Sequence, residues 1–127
     1  MSVKSFLSLP FANYVVLKNK KWKYNAVNSQ KKVFETLINS AKKTQFGKDH
    51  NFSKIYTYSD FTKNVPIRNY EGLSYYIEKI KNGEKDVLWP KTPMYFCKTS
   101  GTTSGTKYIP ISKESMPNHI TAARDSI

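Results

Sequence analysis

The chain has 127 residues, a formal net charge of +12 and a single cysteine. That length fits one domain. One cysteine excludes an internal disulfide framework and gives no sign of an oxidising compartment. The excess of positive charge raises the question of nucleic acid or an acidic membrane. Only Arg68 and Arg124 are arginines, and the lysines are scattered apart from Lys18-Asn19-Lys20-Lys21-Trp22-Lys23. Base and phosphate readout favours convergent arginines, so the charge reads as a solvated surface, with no specific nucleic acid and no membrane as partner.

In chain order, the first apolar run, Phe6 to Ala12, is broken by Ser8 and Pro10. It is too short to span a bilayer and lacks the cleavage site of a secretory signal, so a cytoplasmic protein is expected. Residues 3–17 predict a helix interrupted near Pro10, and the basic run after it an exposed loop or helix end. A clearer helix runs from Ser29 to about Gln45, with Val33, Phe34, Leu37, Ile38 and Ala41 on one face, Ser29 as N-cap and Gly47 as terminator. Thr57 and Asp60 have the spacing of a capping box for a short helix over 59–64, closed by Pro66. Asn69 caps a further helix from Tyr70 to Lys81, striped by Tyr70, Leu73, Ile77 and Ile80 and ended by Asn82-Gly83. Tyr70, Tyr75 and Tyr76 read as packing residues. Met94 to Cys97 predicts a short buried strand, Lys107 to Ile111 a second, and Ser112 caps a last helix whose early turns Pro117 weakens. Cys97 reads as a buried small hydrophobe. His50 and His119 are the only histidines and form no metal-ligand cluster.

Between the two strands lies Thr99-Ser100-Gly101-Thr102-Thr103-Ser104-Gly105-Thr106-Lys107. Glycines admit positive φ and close ligand approach, hydroxyls add neutral donors, successive N–H groups can line an anion concavity, and lysine supplies a compact charge. This set suits phosphate oxygens. The loop is too long for an ordinary hairpin turn of about 2–5 residues. It is not a P-loop, whose lysine directly follows a second glycine further along, nor a dinucleotide loop, which needs a third glycine.

The loop resembles the first nucleotide motif of acyl-adenylate-forming enzymes, loosely T-S-G-T-T-G-x-P-K. Thr99, Ser100, Gly101, Thr102 and Thr103 match it in order and Lys107 falls at the matching distance, while Ser104, Gly105 and Thr106 depart. The variant is similar to one branch, the auxin-responsive-promoter family of acyl-acid amido synthetases. Further elements resemble that family in its order: Ala41 to His50, Asp60-Phe61 with Val65-Pro66-Ile67 and Tyr70-Glu71, then Tyr76-Ile77-Glu78, Gly83-Glu84 and Val87-Leu88-Trp89-Pro90.

The resemblance implies an α/β fold: a mostly helical segment plus a strand–phosphate loop–strand unit of an adenylate-forming large domain. Residues 1–127 would be its N-terminal part, with an incomplete core, because family members are several-fold longer. It implies ATP and Mg²⁺ as cofactors, with Thr99, Ser100, Gly101, Thr102, Thr103, Ser104, Gly105 and Lys107 binding the nucleotide and the magnesium ligands lying elsewhere. A carboxylic acid and an amino acid are the implied substrates, and the remainder of the enzyme the implied partner. No catalytic residue is assigned, and the chain alone is expected to be inactive. The alternatives are a small basic module for nucleic acid or an anionic surface, and a gene fragment that folds poorly.

Overall fold

The computed structural model describes residues 3–99 and 105–126. Among them are six α-helices, α1 (Val3–Lys23), α2 (Ala26–Ala41), α3 (Gln45–Asp49), α4 (Tyr58–Asn64), α5 (Ser74–Lys81) and α6 (Met116–Asp125), and one antiparallel pair, β1 (Tyr95–Thr99) and β2 (Lys107–Ile111). The described chain is therefore mostly helical with a small sheet, as the α/β reading requires.

Two apolar clusters hold the middle of the chain. Ile38, Ala41, Phe52 and Ile55 form one, joined by Phe34, Phe61 and Trp89. Tyr76, Ile80 and Val87 form the other, joined by Leu73 and Leu88. Phe46 packs against both, so the five-residue α3 is the joint between them. Such a short helix gains little from its own ladder; its exposed N–H groups need outside partners. They have them. Gln45 N donates to Asp86 O at 2.7 Å and Phe46 N to Val87 O at 2.9 Å. Gly47 N donates to Thr44 Oγ1 at 3.0 Å. Thr44, only 1% exposed, in turn donates its hydroxyl to Ala41 O at 2.7 Å.

Several boundaries differ from the sequence expectation. Pro10 does not interrupt α1. A mid-helix proline removes one bond to the carbonyl four residues earlier. Here that carbonyl belongs to Phe6, on an exposed stretch open to water. The basic run lies in the last turns of α1, not in a loop. α2 begins before Ser29, whose N–H bonds to Asn25 O inside the helix, so Ser29 is no cap. Gly47 lies within α3 rather than ending α2. Of the α2 face, Ile38 and Ala41 are buried and Phe34 half-buried, whereas Val33 and Leu37 stay exposed. Ser115, not Ser112, stands at the cap position of α6, and Pro117 falls in its first turn, where no N–H is missed. Ser112 Oγ still accepts from Ser115 N at 3.1 Å.

The capping box of α4 is present in full: Asp60 N donates to Thr57 Oγ1, and Thr57 N donates to Asp60 Oδ2 at 2.9 Å. Hydrogen bonds from the Thr57 hydroxyl first, then from the Tyr56 and Thr57 backbone, hold the Asp60 carboxyl below its ordinary value. A depressed carboxyl stabilises the fold above its unfolded pKa and loses that contribution as pH falls through the folded one. Thr57→Ala should cost about 1 kcal/mol in urea denaturation at neutral pH. The gap between wild type and Asp60→Asn should close as pH falls below about 4; a gap constant down to strongly acidic pH would remove Asp60 from the cap.

β1 is exposed along its whole length, and so is Cys97. The expected buried strand and buried thiol are both corrected. Apolar letters marked this strand, but burial needs a facing layer, and among the described residues the sheet has only two strands and no such layer over β1. Trp89 is half-buried, and its indole N–H reaches the Glu114 carboxylate. Glu114 is held below the ordinary carboxylate range, first by its own backbone N–H, with Trp89, Lys91 and Ser112 adding to the effect. The approach to β1 is thereby tied to the segment after β2.

Candidate functional site

The hairpin holds Thr99 and Lys107, the two residues that flank the glycine-hydroxyl segment in the sequence. Thr99 pairs with Lys107, Lys98 with Tyr108, Cys97 with Ile109 and Tyr95 with Ile111. Thr99 and Lys107 therefore stand opposite each other at the last rung of the sheet. Of the residues expected to bind phosphate, Ser100, Gly101, Thr102, Thr103 and Ser104 lie outside the described residues. Thr99 ends β1 and is exposed, and Lys107 opens β2 and is half-buried. Gly105 has φ +78, in the region that glycine enters without steric cost.

The base of the loop is held by a residue that the sequence marked only as packing. Tyr70 Oη accepts from Tyr108 N at 2.9 Å and donates to Tyr108 O at 3.5 Å. A phenol thus takes the place of a neighbouring strand at that rung. Because the Tyr108 N–H points to Tyr70, the Lys98–Tyr108 rung is a non-hydrogen-bonded pair, and by alternation so is Phe96–Pro110. Pro110, which has no N–H to offer, sits on the same outer edge as Tyr108. Lys107 Nζ lies 5.6 Å from the Tyr70 ring centroid, and Lys81 Nζ lies 4.9 Å from that of Tyr108. Lys81 also pairs with Glu78 at 2.8 Å, and that hydrogen bond raises its pKa. Lys81 and Lys107 accordingly flank the Tyr70–Tyr108 contact. A cleft of about 370 Å³ between Trp89, Pro93, Ile109 and Pro110 opens toward the other end of the strands, away from the loop.

A second polar joint sets the position of Tyr70's segment. His50 is buried at the end of α3 and stacks on Phe46 at 4.0 Å between ring centroids. Its Nδ1 lies 2.8 Å from Phe46 O and its Nε2 lies 3.0 Å from Arg68 Nη2. A guanidinium only donates, so Nε2 accepts and Nδ1 carries the proton given to Phe46 O. Tyr76 Oη donates to Asp49 Oδ2 at 2.9 Å, binding α5 to α3.

A family model described as the GH3 family N-terminal domain matches residues 18–126. This chain belongs to the GH3 family. A curated relative, indole-3-acetic acid-amido synthetase GH3.15 of Arabidopsis thaliana, is 40% identical over 63 residues, which is 48% of this chain and 11% of that protein. The chain thus spans a small part of the relative's length. The GH3 match runs through the hairpin, and an amido synthetase stands among the relatives of the chain.

Within this GH3 segment Tyr70 is the residue that sequence reasoning missed. The available signal was chemical: a half-buried phenol needs a hydrogen-bond partner, and a packing stripe supplies none. Tyr70→Phe should leave the Tyr108 N–H without its partner, at a cost of about 1–3 kcal/mol if the group stays dry. Amide exchange at Tyr108 should accelerate while that at Ile80 in α5 stays slow. Unchanged exchange at Tyr108 would mean that the phenol does not hold the strand.

Proposed function

We propose that this chain is the nucleotide-facing N-terminal part of the adenylate-forming large domain of an ATP-dependent acyl-acid amido synthetase. The observation that carries the reading is the GH3 match across the hairpin that bears the hydroxyl-glycine loop and Lys107. The positive φ of Gly105, Lys107 opposite Thr99, and Lys81 over the Tyr108 ring support it. In the first half-reaction a carboxylate oxygen of the acid bonds to the α-phosphorus of ATP, and the α–β anhydride bond breaks to release pyrophosphate. In the second, the amino acid nitrogen bonds to the acyl carbon, the acyl–phosphate bond breaks to release AMP, and the amine proton passes to solvent.

The work left to this segment is positioning and charge neutralisation. Thr99, Ser100, Gly101, Thr102, Thr103, Ser104 and Gly105 hold the β,γ-phosphates, and Lys107 offsets their charge. Among the described residues no three His, Cys, Asp or Glu side chains converge. When bound, Mg²⁺ would carry part of the phosphate charge, with its protein ligands in the remainder of the enzyme. In this reading the acid, the amine and the adenine fall to the remainder of the enzyme.

ATP–pyrophosphate exchange by the enzyme that carries this segment tests the reading. Lys107→Ala should raise the KM for ATP and slow exchange by about tenfold or more, the loss of a charge-assisted contact worth roughly 1.5–3 kcal/mol. Ser100→Ala should have a smaller effect, about 0.5–1.5 kcal/mol. Wild-type exchange kinetics in both Lys107→Ala and Gly101→Val would show that the loop is not the phosphate cradle.

A further inference from the structure

Lys107 is the charge that the phosphate reading asks of this segment. A lysine head rides on a long flexible stem, so its use to a phosphate depends on what holds it. Lys107 Nζ lies 5.6 Å from the centroid of the Tyr70 ring, within the about 6 Å over which an aromatic face attracts a cation. Among the described residues no carboxylate pairs with it. Lys81, on the other flank of the Tyr70–Tyr108 contact, differs: Glu78 offsets its charge at 2.8 Å. A carboxylate cancels the charge it holds. A ring face holds an ammonium through its quadrupole and leaves the charge in place.

The seat is itself fixed from the core side. Two residues before Tyr70, Arg68 Nη2 donates to Nε2 of buried His50 at 3.0 Å. After it, Tyr70 O accepts from Leu73 N at 3.0 Å, in the turn that leads into α5. From this anchored position the phenol accepts from Tyr108 N at 2.9 Å. Tyr70 therefore governs Lys107 by two routes: the ring near its head, and the backbone of the next residue. We propose that Tyr70 is the positioning residue for Lys107, holding its ammonium un-neutralised for the phosphate chain of a nucleotide. The inference rests on the reading of Lys107 as a phosphate-facing charge. It adds that the charge is aimed from the helical core, through His50, Arg68 and Tyr70, and not by the glycine-hydroxyl segment alone.

A double-mutant cycle in ATP–pyrophosphate exchange, run on the enzyme that carries this segment, tests the proposal. Tyr70→Phe keeps the ring face and drops the phenol, and should raise the KM for ATP about threefold. Tyr70→Leu drops both and should raise it about tenfold. Circular dichroism verifies folding, and the nearly isosteric Tyr70→Phe carries the test if Tyr70→Leu does not fold. The KM for the carboxylic acid should stay at its wild-type value in both. In a Lys107→Ala background neither change should move the KM for ATP by more than about twofold, because the charge that Tyr70 places is gone. A Tyr70 change that raises both KM values alike, or whose effect multiplies in full with that of Lys107→Ala, is a packing effect on β2. Either result overturns the proposal and leaves the phosphate reading standing, as does a wild-type KM for ATP in a folded Tyr70 variant. A wild-type KM for ATP in Lys107→Ala alone overturns the phosphate reading and the proposal with it.

Discussion

Gly47→Ala should destabilise the chain by about 3 kcal/mol or more, at the upper end of overpacking effects, and lower its melting temperature by more than about 10 °C. A Cβ at Gly47 would stand 2.1 Å from Ala41 O and 3.0 Å from both Ala41 C and Lys42 Cα. These are backbone atoms, so no side chain can swing away. Ala41 O cannot retreat freely either, because it accepts from both the N–H and the hydroxyl of buried Thr44. Relief would require α3 to leave α2, and with it Phe46, which packs on both apolar clusters. Gly83 is the control. Its φ is +87, but nothing lies within 4 Å of a Cβ built there, so Gly83→Ala should cost only about 1–2 kcal/mol of backbone strain. Urea denaturation of the two variants separates space from φ. Equal losses would show that α2 and α3 do not approach as closely as described.

His50→Ala should cost about 2–4 kcal/mol, combining lost ring volume with lost hydrogen bonds. The ring joins α3 to the stretch that carries Arg68. It stacks on Phe46 in α3, gives its Nδ1 proton to Phe46 O, and accepts from Arg68 in the irregular stretch before Tyr70. His50→Phe keeps the stacking and drops both hydrogen bonds, so it should recover part of the loss. Arg68→Ala combined with His50→Ala should cost less than the sum of the two single changes. Strict additivity in denaturation would mean that the Arg68–His50 bond is not formed in solution.

The features most legible in the sequence were those set by neighbours along the chain. Thr57 and Asp60 stand at capping-box spacing, and the box is there. The strand read over Lys107 to Ile111 agrees at both ends with β2. The loop was recognisable because its composition and spacing carry chemistry before any fold is known; Thr99 and Lys107 face each other at one end of the hairpin. Features set by distant residues were not legible. Tyr70 meets Tyr108 across 38 positions, and no local pattern announces such a contact. Gly47 looked like a helix stop because glycine often is one, whereas its missing Cβ makes room for a carbonyl of the preceding helix. Met94 to Cys97 looked buried because its letters are apolar, but burial belongs to the layer opposite. Pro10 was given the cost it would have in a buried helix, and α1 is exposed.

The two rims of the hairpin are chemically unequal. On β2 the outward N–H and carbonyl of Tyr108 are taken by a phenol, and Pro110 has no N–H there. On β1 the outward amides of Phe96 and Lys98 meet nothing among the described residues. Growth of this sheet is therefore one-directional: a further strand zips onto β1 and never onto β2. In concentrated solution the same asymmetry makes β1 the nucleus of any ordered aggregate, with Lys98 as its only charged gatekeeper. It also keeps the β2 rim, and the Lys107 that begins it, clear of strand-on-strand growth.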